Sequence, residues 1–280
     1  MIEAPRPLWL ARNSGLISAE QQDSLDAATV LVAGVGGVGG RVAEVLARMG
    51  VGRLKLTDPD HFSSTNLNRQ AACTSETLGR NKAEVVAELC RIAAPGVSVF
   101  TNPGGVTAEN LAELLDGVDV VIDGTDYLHP ELGLLIAQQA RQQGIPVVLG
   151  VEVGYGIWAT AYLPTTSTFE EMFGYKRDCA ALDVEAAPLW RWIVSVPRYV
   201  RLSELRRLAR GEIQAPALAP AVELSAAVLS TMVCQLLWGQ RPHATAPRLF
   251  RIDLMTGCCR VTRHSRVRFA VSLAAALLTR

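Results

Sequence analysis

Apolar residues along this chain keep two alternating periods. Thr29–Ala33 is a short unbroken apolar run, as a strand buried on both faces requires. From 38 to 49 the apolar positions fall at Val42, Val45, Leu46 and Met49, the one-sided stripe of a helix. The alternation then repeats. Residues 53–58, 97–100, 119–126, 145–154 and 156–164 read as strands. Residues 80–93, 107–115 and 131–144 read as helices, with Thr107 a candidate N-cap of the second and Gly144 the stop of the third. An amphipathic helical pattern also covers residues 8–27. Strands alternating with helices predict an α/β fold, a doubly wound and mainly parallel sheet with helices on both faces.

Beyond Pro164 the pattern changes. Residues 166–215 read as an irregular excursion with one short basic helix near 201–210. Residues 216–280 form a C-terminal elaboration. It comprises a helix apolar nearly all round and closed by Gly239, a hairpin turning at Thr256 and Gly257, and an apolar segment at 269–278 that reads as a docked or partner-binding helix. With no repeat and no long linker, residues 1–280 are expected to form one elaborated domain around a core at 10–165.

Composition narrows the partners. The chain has 280 residues, 49% of them apolar, which is enough for a sizeable core. Its 27 basic and 27 acidic side chains cancel, which argues against nucleic acid as main partner, since phosphate neutralisation needs a basic surplus. No apolar run reaches the roughly 18–20 residues of a membrane span, and no signal peptide is visible at the N-terminus. The six cysteines (Cys73, Cys90, Cys179, Cys234, Cys258, Cys259) form no C-x-x-C pair and read as reduced thiols of a cytoplasmic protein.

The chemistry starts at Gly34-Val-Gly36-Gly37-Val-Gly39-Gly40, a G-x-G-x-x-G loop between strand and helix. Such a loop lets phosphates approach backbone amides at a helix N-terminus. Asp58, at the end of the second predicted strand, can accept hydrogen bonds from ribose hydroxyls, as either NAD or ATP would require. Asp60 reads as a loop acid. The next residues separate the two nucleotides. Arg69 and Lys82 follow strand two, and Asp126 follows strand four, so all lie beyond the same edge of the sheet as the glycine loop. Lys82 opens a helix, an unfavourable place for a cation without an anion nearby. Two cations and a carboxylate suit phosphoryl chemistry, with Asp126 a candidate Mg²⁺ ligand. Hydride transfer needs no such set.

In order and spacing the segments GVGGVGG, LTDPDHFSSTNLNRQ, LGRNKAEVV and DGTD, with the helix ELSAAVLSTMVCQLLWG, resemble the ThiF/MoeB/HesA superfamily, which includes the nucleotide-binding domain of ubiquitin-activating enzymes. The resemblance implies a Rossmann-like homodimer that activates a carboxylate as an acyl-adenylate with ATP and Mg²⁺, releasing pyrophosphate. By matching position it implies that Gly34, Gly36, Gly37 and Gly39 cradle phosphates, Asp58 takes the ribose, and Asn66, Arg69 and Lys82 contact phosphates. It further implies that Gln70 shapes the site, Asp126 binds Mg²⁺ and supports the transfer, and Arg12 reaches the neighbouring subunit's nucleotide. Arg69, Lys82 and Asp126 would form the catalytic set.

The chain departs from the family in three places. The two C-x-x-C pairs that hold a structural zinc in many members are missing, so no structural zinc is expected. The cysteine that takes up the acyl group in many members has only Cys179 as a candidate, beside Lys176 and Arg177, and an ordinary loop cysteine is the better reading of it. Where many relatives read Asp-Asn and then Arg, this chain reads Asp126-Tyr-Leu-His-Pro-Glu131. These departures count against a carrier-protein C-terminus, which stays as an alternative, and suit a divergent member acting on a small-molecule carboxylate or a peptide. The rival readings are an NAD-dependent oxidoreductase on the same glycine loop and a nucleotide-binding pseudoenzyme serving as scaffold.

Overall fold

The computed structural model describes residues 7–126, 129–176, 179–181, 196–197 and 199–264. All eight strands among these residues join one sheet in the order β3-β2-β1-β4-β5-β6-β7-β8. The strands are β1 (Thr29–Ala33), β2 (Arg53–Thr57), β3 (Ser98–Asn102), β4 (Val120–Asp123), β5 (Val147–Val153), β6 (Gly156–Tyr162), β7 (Arg248–Asp253) and β8 (Cys258–Arg263). Strands β1 to β5 pair in parallel, while β6, β7 and β8 continue from β5 as an antiparallel meander. The predicted mainly parallel sheet and the C-terminal hairpin are both present, with the hairpin as the last two strands.

The α-helices are α1 (Ala19–Ala27), α2 (Gly37–Met49), α3 (Lys82–Ala93), α4 (Leu111–Leu115), α5 (Pro130–Gln142), α6 (Phe169–Phe173), α7 (Leu202–Ala209) and α8 (Ala219–Leu237). Alternation along β1 sorts them into two layers. Val30 and Val32 point into a core shared with α2, α3 and α8, whereas Leu31 and Ala33 point into one shared with α4, α5 and α6. Burying both faces explains why the inner strands are unbroken apolar runs.

Three expectations shift. The helical pattern at 8–27 splits into a 3₁₀ turn (Leu8–Asn13) and α1, because Gly15 takes a left-handed φ of 89° and Ser18 opens α1 with a capping box to Gln21. The 107–115 helix shortens to α4, since Thr107 accepts from the amide of Asn110 in a preceding turn. The helix expected at 219–239 forms as α8 and packs against α2 and across β4, β5 and β6. Although no unbroken apolar run of spanning length was read, α8 as a helix is long and apolar enough to cross a membrane by length and composition. Half of that stretch is buried inside the protein. The segment at 269–278 and much of the 166–215 excursion lie outside the described residues.

Candidate functional site

The sheet order reverses between β1 and β4, which opens a crevice at the carboxyl edge. The glycine loop fills its centre. Gly34 has φ 86°, and a Cβ there would overlap Gly124 O in the loop after β4. A Cβ on Gly39 would overlap Gly34 O. These two glycines are demanded by the chain's own packing. Gly36 differs, because the nearest atom to its Cβ would be Gln70 Nε2 at 3.6 Å. No neighbouring atom excludes a side chain there, and the open face it leaves over the start of α2 is suited to a ligand.

Asp58 ties the neighbouring turns together. Its Oδ2 accepts from Val35 N at 2.8 Å and its Oδ1 from Asp60 N at 2.9 Å. Burial pushes the carboxyl upward, opposed by these amides and by Lys82. Asp58 therefore shapes the glycine loop, and the second lone pair of each oxygen remains for hydroxyls.

Lys82 is the first residue of α3 and is buried. Asn81 fixes it there, because its side chain accepts from Glu84 N and donates to the carbonyls of Asp58 and Asp60. The anion that a cation at this helix start requires is Asp60, whose Oδ2 lies 2.8 Å from Lys82 Nζ. Asp60 is thus more than the loop acid expected from the sequence.

The turn carrying Asn66, Arg69 and Gln70 lies over the same loop. Asn66 Oδ1 accepts from Ser63 N, which leaves Nδ2 for a ligand. Arg69 Nη1 donates to Thr65 O at 3.0 Å and Asn68 Oδ1 at 2.9 Å, and among the described residues no carboxylate pairs with it. Its Cγ would sit 3.8 Å from a Cβ on Gly37, at the first turn of α2. Gln70 Oε1 and Thr57 Oγ1 are buried with no hydrogen-bond partner among the described residues. Unspent polar atoms beside an open glycine and an arginine that makes no salt bridge suit this rim to an anion with further polar groups.

The fold brings Gly34, Gly36, Gly37, Gly39, Asp58, Asn66, Arg69, Gln70 and Lys82 to one edge. Asp126 lies on the same edge, exposed, just past β4. Arg12 does not join them within the chain. It is exposed on the 3₁₀ turn whose Leu10 packs by Gly50, at the opposite end of α2 from the glycine loop and about 18 Å along that helix. Cys179 is on the α5 face, where its carbonyl accepts from Gln138 Nε2, and it lines a cavity of about 600 Å³ with Tyr162 and Glu170. Cys90 and Cys234 are core thiols that burial pushes up to about 12 and about 11. Among the described residues no group of three or more His, Cys, Asp or Glu could hold a metal.

Two acids, Asp123 buried and Glu152 half-buried, escaped the sequence reading. Asp123 at the end of β4 accepts from the hydroxyl and amide of Thr125, and burial pushes its carboxyl upward. Glu152 on β5 meets Ser225 of α8 only loosely, with Oγ 3.4 Å from Oε1. A signal for Glu152 existed: it is the one charged residue in an otherwise apolar run from 145 to 164.

Comparison with known proteins agrees with the geometry. The ThiF family matches residues 10–268. The SAMP-activating enzyme E1 of Haloferax volcanii is 32% identical over 174 residues, covering 60% of this chain and 64% of that one. The sulfur carrier protein adenylyltransferase of Thermus thermophilus is 34% identical over 134 residues, 48% of this chain and 49% of that one. Escherichia coli MccB solved with ATP shares the fold at a TM-score of 0.65 and 20% identity, covering 88% of this chain and 66% of that one. The match thus spans less than two thirds of each of these relatives. With the family matched over nearly all of its length, and the glycine loop, the acid after β2 and the Asn-Arg-Lys rim on one sheet edge, this chain belongs to the ThiF family.

Proposed function

We propose that the chain binds ATP at the carboxyl edge of the sheet and adenylates a carboxylate. The observation that carries this reading is the pair of cations at the glycine loop. Lys82 is buried at a helix start, and Arg69 makes no salt bridge among the described residues. Phosphates would meet the loop amides and both cations, and the ribose would meet Asp58.

In the reaction a carboxylate oxygen attacks the α-phosphorus. A new O–P bond forms, the α–β bridging bond breaks, and pyrophosphate leaves with that electron pair. Negative charge approaches negative charge, so catalysis is mainly positioning and electrostatic stabilisation. Arg69 and Lys82 offset the phosphate charge, while Asn66 Nδ2 and Gln70 hold the phosphates in line. Asp126 would hold Mg²⁺, which takes one or two carboxylates with phosphate oxygens for its remaining ligands and supplies further charge neutralisation when bound. A single exposed acid suits a metal carried mostly by the nucleotide. The substrate is a carboxylate on a small molecule, a peptide or the C-terminus of a carrier protein, the last in keeping with relatives named for SAMP and for a sulfur carrier protein. A homodimer in which Arg12 serves the partner's nucleotide belongs to the same reading.

Calorimetric titration with ATP·Mg²⁺ and with NADH, beside Arg69→Ala, tests it. Nucleotide affinity limited to ATP and weakened in the variant supports adenylation. NADH binding indifferent to Arg69 returns the chain to oxidoreductase chemistry. ATP binding with no pyrophosphate exchange across a panel of carboxylates and carrier peptides would favour a scaffold.

A further inference from the structure

Glu152 has no part in the reaction as drawn, yet its position bears on it. Strand β5 runs parallel to β4, so its C-terminal end opens on the same edge as the glycine loop. Val148, Gly150 and Glu152 point alternately to the α8 face, where a Cβ on Gly150 would touch Leu229. One turn earlier on α8, Ser225 meets Glu152, and one turn earlier again Val222 packs on Gly37 at 3.2 Å from its Cβ position. Gly37 is also where the Arg69 stem lies. Glu152, Ser225, Val222, Gly37 and Arg69 thus form one continuous wall beside the start of α2.

The charges around this wall are few. Arg69 is the cation that acts on Glu152. Arg41 on α2 is committed to Glu44 and to Glu223 of α8. Asp123 of β4 turns to Thr125. Arg251 and Asp253 of β7 stand in register with Trp158 and Gly156 of β6, and these pair with Val151 and Val153, which alternate to the sheet face opposite Glu152. Ser225 Oγ lies 3.4 Å from Glu152 Oε1 and also donates to Ala221 O at 2.7 Å, so it is a weak partner for Glu152. A half-buried carboxyl is left with one weak hydroxyl contact and one cation that the proposed reaction assigns to phosphate.

We propose that Glu152 is a positioning residue of the phosphate site. Ionised, it draws Arg69 toward the α8 wall and repels the nucleotide. When the nucleotide binds, it yields Arg69 to the phosphates and takes a proton from solvent to become a neutral carboxylic acid. The inference rests on the ATP reading through Arg69. Burial already pushes this carboxyl up to about 7, with Ser225 and Arg69 opposing, so losing Arg69 and facing phosphate raises it further. Nucleotide affinity then falls as pH rises through about 7, because a growing share of the protein must take up a proton to bind.

The test is titration of ATP·Mg²⁺ into the wild type, Glu152→Gln and Glu152→Asp, at pH 6 and pH 8, in two buffers of different ionisation enthalpy. Gln keeps the size of the side chain and an acceptor for Ser225, and far-ultraviolet circular dichroism checks the fold. The wild type should take up protons on binding and lose roughly fivefold more affinity between the two pH values than Glu152→Gln, what one unit of coupled shift gives over this range. Glu152→Asp should keep the pH dependence. Equal proton uptake and parallel pH profiles in wild type and Glu152→Gln would overturn the inference and leave ATP binding standing. A wild type that binds no ATP at either pH would overturn the nucleotide reading and this inference with it.

Discussion

Lys82 Nζ lies 2.8 Å from Asp60 Oδ2, and the two side chains differ sharply in exposure, 9% for the lysine against 66% for the aspartate. The cation is fixed by the fold while its counter-ion stands at the solvent boundary. Solvent screens the acid, so the pair contributes little to stability. It does keep a buried ammonium compensated until another anion arrives. Lys82→Ala is expected to lower pyrophosphate exchange about 10²–10³-fold, the usual cost of removing one preorganised charge donor. Asp60→Asn should change it less than about tenfold, since Lys82 then has only the incoming phosphate to meet. Equal losses in the two variants would assign the role to the ion pair rather than to the cation.

The loop glycines divide into two kinds, and alanine substitution separates them. At Gly39 a Cβ would overlap the carbonyl of Gly34, which cannot move without displacing β1. Gly39→Ala should be destabilised by more than about 1–3 kcal/mol, the ordinary range for overpacking. At Gly36 the nearest atom is the end of a flexible glutamine at 3.6 Å. Gly36→Ala meets no such overlap and should lose less stability than Gly39→Ala, yet bind ATP poorly because the methyl occupies the phosphate approach. Thermal denaturation and nucleotide titration on both variants check this. Full ATP affinity in Gly36→Ala would remove the loop from the nucleotide site.

The sequence showed much of this because period and spacing are local. The runs Thr29–Ala33 and Arg53–Thr57 had only to be strands flanked by helical stripes for the glycine loop, Asp58 and the Asn66–Gln70 turn to share an edge. What stayed hidden depends on pairs distant in the chain. Glu152 meets Ser225 across 73 positions, and no local pattern announces that α8 would lie over β5. Asp60 looked like a loop acid because its partner lies 22 positions on, beyond a 3₁₀ turn. The helix expected at 8–27 broke at Gly15, where a left-handed residue outweighs an amphipathic pattern.

The seat of α8 on the sheet is tight at Gly150. A Cβ there would lie 2.9 Å from Ile157 Cδ1 and 3.0 Å from Leu229 Cδ2. Gly150→Ala should therefore push α8 outward and cost about 1–3 kcal/mol. Because Val222 and Ser225 precede Leu229 on the same helix, the displacement should reach Gly37 and weaken ATP binding too. Gly150→Ala with Leu229→Ala should lose less than the sum of the two single losses, since the second change makes room for the first. Additive losses in the double variant would show that the two sites do not communicate.

Glu152 also gives stability a pH dependence whose sign is fixed. Burial raises its carboxyl from an ordinary value of 4.5 to about 7. Between those values the folded chain keeps a proton that the unfolded chain has released, so stability declines as pH rises from about 4.5 to about 7 and is level above. The span corresponds to a loss on the order of 3 kcal/mol. Glu152→Gln cannot ionise and lacks this slope. In urea denaturation of the nucleotide-free protein, the variant should match the wild type near pH 5 and exceed it by roughly 2–3 kcal/mol at pH 8. Every other titrating group is common to both proteins, so the difference isolates this carboxyl. Parallel curves would mean that Glu152 reaches water freely in the folded state, and its position beside Arg69 would then carry no electrostatic consequence.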